Sequence, residues 1–291
     1  MIPDTQFLKQ SKVFWSHVRT IGEKNGYTAK GANQIKVHSL PAIVTALESL
    51  GLDTKHISED GKAPTEFGAL LVDYFAYRAK MLNSYVEPRL MNVEQAKALF
   101  EETRRELEPK CPLPMNKQKG EKRAPAYLTG IVNMIIEANT GERECDYSPR
   151  TLTTVTRDGR PLRTLARWVD GCFPTAVNPI AVWELKEYYY TKTFGSRVAD
   201  GVYETLLDGM ELEELFNSEG IAVQHLLIVD DYFTWWRCGK SYLCRIVDTL
   251  HMGYIDEVLF GREVVERLPT IVREWIDALE SPETVSLRRK R

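Results

Sequence analysis

Residues 179–190 read Pro-Ile-Ala-Val-Trp-Glu-Leu-Lys-Glu-Tyr-Tyr-Tyr. The stretch is apolar, β-branched and aromatic, bounded by Asn178-Pro179 and by Gly195, and it predicts a strand rather than a helix. Side chains on a strand alternate between faces, so Glu184 and Lys186 project from the same face, with Val182 and Tyr188 on either side of them. A carboxylate and an ammonium in a hydrophobic strand are costly unless they are paired or put to use. The reading therefore turns on whether a further acid lies nearby.

Upstream, Thr151–Thr156 alternates and predicts a strand, and Arg157-Asp158-Gly159-Arg160 carries the Asp-Gly hairpin signal. Leu162 to Val169 predicts a returning strand that ends on Asp170-Gly171. Thirteen residues separate Asp170 from Glu184, a connection able to bring the end of one strand beside the middle of the next. Before these strands, Tyr127 to Ala138 predicts a helix with Leu128, Ile131, Val132, Ile135 and Ile136 apolar and Glu137 just beyond that face. Downstream, Ser196 to Leu215 predicts a helix and Ile221 to Val229 an apolar strand ending in Asp230-Asp231. A continuous apolar strand after a helix implies a β-α-β crossover and a partly parallel core. Ser241–Leu250 and Glu263–Leu279 predict closing helices. The fold class is α/β, a mixed sheet flanked by helices.

Residues 1–108 predict helices over 5–22, from Ser39 to Leu50, from about Glu66 to Asn83, and from Asn92 or Val93 to before Pro109. This region is expected to bind DNA as a small winged-helix or helix-turn-helix-like module, or to serve as a structural helical subdomain or dimerisation arm. Residues 109–125 hold four prolines and a basic cluster, which predicts a linker or loop, leaving 126–291 as the core with its C-terminal helices.

Composition narrows the functional classes. The net charge of −3 gives no global basic field, but local basic runs lie at Lys110–Arg123 and Arg150–Arg167, and acids concentrate at Glu204–Glu219. Five cysteines without a CxxC pair predict reduced, mostly buried thiols, and five scattered histidines without HxH or HExxH argue against a histidine-rich metal centre. No apolar run reaches the roughly 18 residues of a membrane span, and the N-terminal residues lack a signal-peptide layout, so a cytoplasmic protein is expected. Gly239-Lys240-Ser241 copies the end of a phosphate-binding loop, but Thr234 stands where that loop needs glycine, so no nucleotide cofactor is expected.

The arrangement suits metal-dependent phosphodiester hydrolysis. Asp170 and Glu184 would hold a hard divalent cation through oxygen, with the backbone carbonyl of Leu185 as a further ligand and Glu137 as an extra one reaching in from the preceding helix. Lys186 would hold or deprotonate the attacking water and offset charge in the transition state. Another Glu-x-Lys, Glu108-Pro109-Lys110, falls at a proline-rich boundary and cannot occupy a sheet position.

Asp170, Glu184-Leu185-Lys186 and, more loosely, Glu137 resemble the PD-(D/E)xK nuclease superfamily, and within it the type II restriction endonucleases. The resemblance covers roughly residues 127–235, and Val169 stands where the signature has proline. It implies an α-β-β-β-α-β core and Mg²⁺ dependence with Mn²⁺ able to substitute. The implied activity is sequence-specific cleavage of double-stranded DNA to 5′-phosphate and 3′-hydroxyl ends, by a homodimer. Expected DNA contacts are Lys117, Lys119, Lys122 and Arg123, together with Tyr188, Tyr190, Lys192, Thr193, Ser196 and Arg197. The competing expectation is that the tyrosines pack in the core. Trp235-Trp236 is expected to be a core or dimer pair rather than a base-stacking one. A repair or defence nuclease, and a non-catalytic DNA-binding protein on the same fold, remain alternatives.

Overall fold

The computed structural model describes residues 1–8, 10–28, 33–118, 121–191 and 195–280. The N-terminal elements are helices α1 (Thr5–Leu8), α2 (Lys12–Asn25), α3 (Leu40–Glu48) and α4 (Glu66–Lys80), the last continuing into a π-helical turn at Met81–Val86. Ser11 and Thr65 accept the Phe14 and Gly68 amides and so start α2 and α4, as small polar N-caps do. Their inward faces form an aromatic cluster of Phe7, Phe14, Trp15, Tyr74 and Phe75 with Ile21, Ile43 and Leu47. This cluster meets the rest of the molecule through Arg78, whose guanidinium binds both oxygens of Asp248 at 2.9 Å.

Helix α5 (Val93–Leu107) opens on a reciprocal capping box between Asn92 and Gln95. The segment expected to be a linker instead contains a hairpin, β1 (Met115–Gln118) and β2 (Glu121–Pro125). The prolines flank the strands or end them, which is why the stretch reads as a loop. Helix α6 (Tyr127–Thr140) follows, and α5 packs across it in the same apolar cluster as the sheet, with Phe100 lying against Gly130.

The second hairpin, β3 (Thr154–Arg157) and β4 (Arg160–Thr164), turns at Asp158 and Gly159 with φ of 52° and 75°, the primed turn that Asp-Gly predicts. It forms its own two-stranded sheet. The central sheet has the order β5-β6-β7-β8, comprising β5 (Gly171–Phe173), β6 (Ala181–Glu187), β7 (Gln224–Asp230) and β8 (Glu257–Phe260). β5 runs antiparallel to β6, and β6, β7 and β8 run parallel. Helix α7 (Ser196–Glu219) links β6 to β7, and α8 (Lys240–His251) links β7 to β8 after a π-helical turn at Tyr232–Cys238; α9 (Glu263–Glu280) closes the fold.

Two features depart from the sequence reading. The returning strand ends at Thr164, so Asp170 lies just before a new short strand, β5, rather than at the end of the old one. β8 was not foreseen, because four buried residues are too few to show a period.

Each face of the sheet has its own helices. Ala181, Trp183, Leu226, Ile228 and Leu259 pack with α6 and α9, and Trp183 stacks on Trp275 with centroids 5.7 Å apart. Val182, Glu184 and Lys186 point the other way, toward α7, while Leu227, Val229, Val258 and Phe260 on that face meet α8. Trp235 and Trp236 are fully buried there, which makes them a core pair. No helix among the described residues is long and apolar enough to cross a membrane.

Candidate active site

Strand alternation delivers Glu184 and Lys186 to one face, and the register then fixes what they meet. Asp170 stands where β5 enters the sheet; its amide donates to the Trp183 carbonyl at 3.1 Å, and its Oδ2 accepts the Leu185 amide at 2.8 Å. The acid is thereby fastened to β6 beside Glu184. The same alternation that sends the Trp183 and Leu185 backbone groups toward β5 places the Leu185 carbonyl on this edge.

Glu184 is completely buried and Lys186 nearly so, with Nζ donating to Glu184 Oε2 at 2.9 Å. α7 lies over the pair. Its Gly201 gives Lys186 room: a Cβ there would sit 3.2 Å from the Lys186 stem and 3.1 Å from the Tyr188 hydroxyl. Its Glu204 approaches Lys186 at 3.5 Å. Arg167, from the segment between β4 and β5, brings Nη1 to 2.8 Å from Glu184 Oε1 and to 2.6 Å from Asp208 Oδ2. The site is thus five carboxylate and cationic groups on three chain segments, with Glu204 at its rim.

The electrostatics follow from this geometry. Burial pushes Glu184 up, but Lys186 and Arg167 outweigh it and hold the carboxyl below its ordinary value. Lys186 moves above its ordinary value, because Glu184 and Asp170 outweigh its own desolvation. It therefore stands as an ammonium, suited to holding an anion or a water. Asp170 keeps an exposed flank while its carboxyl is shielded from water, and that shielding, with the charge of Glu184, pushes it up to about 6. Asp208 is fully buried and is pushed up to about 7 for the same two reasons. Glu184 Oε1 and Asp208 Oδ1 are buried without a hydrogen bond, although Arg167 lies within ion-pair distance of the former.

Several expected residues go elsewhere. Glu137 accepts the Lys110 amide at 2.9 Å and sits beside Cys111, whose thiol is pushed up to about 12 by burial and by that carboxylate, so Glu137 is not part of the site. Tyr188 packs against Trp235 and Tyr190 against Tyr127, and both are half-buried. Ser196 is exposed at the start of α7. Lys119, Lys192 and Thr193 lie outside the described residues, as do the side chains of Lys117, Lys122, Arg123 and Arg197. Lys240 is held by Asn33 at 2.7 Å and by the Trp236 carbonyl.

The two charge runs seen in the sequence prove to be partners. Arg157 pairs with Glu219, Arg163 with Glu214 and Arg167 with Asp208, at 2.7, 2.5 and 2.6 Å, while the Ala166 amide donates to Glu211. The acidic face of α7 thus neutralises three of the five arginines of that run. Sequence reasoning missed Arg167, Glu204 and Asp208 as site members. The signal available was the opposite sign of the two runs combined with the helical spacing of the acids.

Among the described residues, no group of three or more His, Cys, Asp or Glu side chains is placed to hold a metal ion unaided. No curated protein and no solved structure matches the chain. Residues 1–85 match a family profile described as Domain of unknown function (DUF7690). Residues 91–275, from just before α5 into α9 and so including the whole central sheet and the site, match a second profile, and the chain belongs to that family, Domain of unknown function (DUF7687).

Proposed function

We propose that the chain is a Mg²⁺-dependent DNA endonuclease of the restriction-endonuclease-like kind, acting as a homodimer on double-stranded DNA. The observation that carries this reading is the Asp170–Glu184–Lys186 constellation: an acid at the entry of one strand, fastened by its carboxyl to the neighbouring strand that carries the Glu-x-Lys pair. The donor set fits a hard cation of the Mg²⁺ type. Such an ion is content with one or two carboxylates and completes its octahedron with water and phosphate oxygens, so a third protein acid is not needed. Asp170, Glu184 and the Leu185 carbonyl would hold it, and Mn²⁺ would substitute. When bound, the ion would polarise the phosphate and acidify a bound water.

The chain's own groups supply the rest. Lys186, as an ammonium, orients the attacking water and stabilises charge on the phosphoryl oxygens. Arg167 keeps Glu184 ionised inside an apolar wall, so that its carboxylate is available without first losing a proton. In the reaction the water oxygen bonds to phosphorus and the bond from phosphorus to the 3′ oxygen breaks. That oxygen takes a proton, leaving 5′-phosphate and 3′-hydroxyl ends.

A second reading has one observation in its favour. Glu184 is wholly buried and already compensated by two cations, as in a structural ion network on a non-catalytic DNA-binding fold. Digestion of sequenced DNA with Mg²⁺ or with EDTA separates the two. Discrete fragments with 5′-phosphate ends in Mg²⁺ alone support the nuclease. Degradation without discrete fragments supports a structure- or modification-directed nuclease, and binding without cleavage supports the second reading.

A further inference from the structure

The seam between the N-terminal helices and the core holds a cavity of about 210 Å³, lined by Arg19 and Glu23 of α2, Tyr27 just beyond it, Tyr203 of α7, and Arg245 and Asp248 of α8. Val202 and Leu206 of α7 give it an apolar wall. The site under α7 uses none of these residues. At about 100° per residue, Val202, Tyr203 and Leu206 lie on the opposite face of α7 from Gly201, Glu204 and Asp208, so the helix stands between the cavity and the Glu184–Lys186 pair.

The charges in this cavity do not balance. Asp248 is already taken, because both its oxygens bind Arg78 and one also accepts the Tyr74 hydroxyl. That leaves Glu23 against two guanidiniums. Among the described residues, neither Arg19 nor Arg245 has a carboxylate within ion-pair distance. Arg19 Nη2 has the Met252 sulfur, a weak acceptor, at 3.3 Å. Arg245 donates Nη1 to the Tyr203 hydroxyl at 2.7 Å and lies over the Tyr27 and Tyr242 rings, 5.6 and 4.6 Å from their centroids. Arg157, Arg163 and Arg167, by contrast, each meet an acid of α7. The hydrogen-bond inventory points the same way. A hydroxyl that accepts from arginine keeps its own hydrogen, so Tyr203 still has a proton to donate, and Arg245 keeps further N–H groups. The cavity is rich in donors and poor in acceptors.

We infer that this cavity is a phosphate-group site, in which the Arg19 and Arg245 guanidiniums and the Tyr203 hydroxyl hold the oxygens of a phosphoryl group. Guanidinium matches phosphate oxygens in charge and in planar donor geometry, and the phosphate supplies the acceptors that the cavity lacks. The stacking of Arg245 on two tyrosine rings holds its plane in place before a ligand arrives. The wall of Val202 and Leu206 suits the carbon skeleton that carries the phosphate. A free nucleotide and a nucleic-acid backbone both present this group. The inference does not rest on the nuclease reading, since a chain that never cuts DNA would still bind phosphate here.

The test is calorimetric titration of the full chain with inorganic phosphate, with AMP and with a DNA duplex, beside Arg19→Gln, Arg245→Gln and Tyr203→Phe. EDTA is present throughout, so that no Mg²⁺ recruits phosphate to the site under α7. The wild type is expected to bind at least one of these probes, and each arginine variant to bind it at least about tenfold more weakly, the scale of a charge-assisted hydrogen bond. Tyr203→Phe is expected to weaken binding about threefold with the wild-type circular dichroism spectrum. Tighter binding of AMP than of inorganic phosphate, with DNA binding untouched by the substitutions, assigns the site to a free nucleotide. Loss of DNA binding in both arginine variants assigns it to a nucleic-acid backbone. Binding of no probe by the wild type, or wild-type affinity for every probe in either arginine variant, overturns the inference. Should Arg245→Gln fail to fold, Arg19→Gln, at an exposed position on α2, decides by the same criterion.

Discussion

Arg167→Met removes the guanidinium that bridges Glu184 and Asp208 and keeps a side chain of similar length. Both carboxylates are inaccessible to solvent, whereas the Arg167 side chain is 23% accessible. Breaking a fully buried pair costs about 3–5 kcal/mol. Discounted for the partial exposure of the arginine, and for Lys186 remaining on Glu184, the expected loss is roughly 2–3 kcal/mol. For a chain of this size that is a fall in melting temperature of about 3–5 °C.

The loss should depend on pH, and Asp208 sets the sign. Its folded pKa is raised, to about 7, so its contribution to stability is fully present below the unfolded value and lost as pH rises through the folded one. Without Arg167 the folded value climbs further. The protonated acid then tolerates the variant at pH 6, whereas ionisation penalises it at pH 8, and the deficit should grow by about 1 kcal/mol between them. Thermal unfolding of both proteins at the two pH values measures this. An unchanged melting temperature, or a deficit larger at pH 6 than at pH 8, refutes the assignment of Arg167 as the counter-charge of these two acids.

Gly201→Ala should impair cleavage about tenfold with little loss of stability, because the new methyl must push the Lys186 stem or the Tyr188 hydroxyl, both flexible, by a few tenths of an ångström; cleavage rate and melting temperature measured together check the split. Gly171→Ala should instead lower stability sharply, since its Cβ would lie 2.1 Å from the buried Trp183 ring, and soluble yield and melting temperature report it. Tyr189→Phe leaves Asp230 Oδ2 without its hydroxyl donor in a fully buried position and should cost about 1–3 kcal/mol, read by denaturant unfolding.

What the sequence made legible was set by short-range periodicity. The 179–190 stretch placed Glu184 and Lys186 on one face, and Asp158-Gly159 placed a hairpin, because a period of two and a positive-φ turn are local properties. Asp170 was found in sequence but assigned to the wrong end of a strand, because β5 is only three residues long and leaves no period to read. Glu137 sits on the helix expected of it, but its carboxylate faces Lys110 and Cys111, a tertiary contact that helical periodicity does not reveal. Arg167 and Asp208 lay outside reach altogether. Their meeting depends on how α7 crosses the sheet, and charge runs of opposite sign say that two segments attract without saying which residues touch.

Asp170 offers the most direct test: its carboxyl accepts the Leu185 amide while the residue keeps an exposed flank, so Asp170→Asn keeps an accepting oxygen and removes the charge. Mg²⁺-dependent cleavage of plasmid DNA by the wild type and by Asp170→Asn should be measured side by side, with DNA binding as the control. The wild type is expected to cut and the variant to cut at least about 100-fold more slowly, with binding retained. A wild type that binds DNA without cutting it, or a variant that cuts at the wild-type rate, contradicts the assignment.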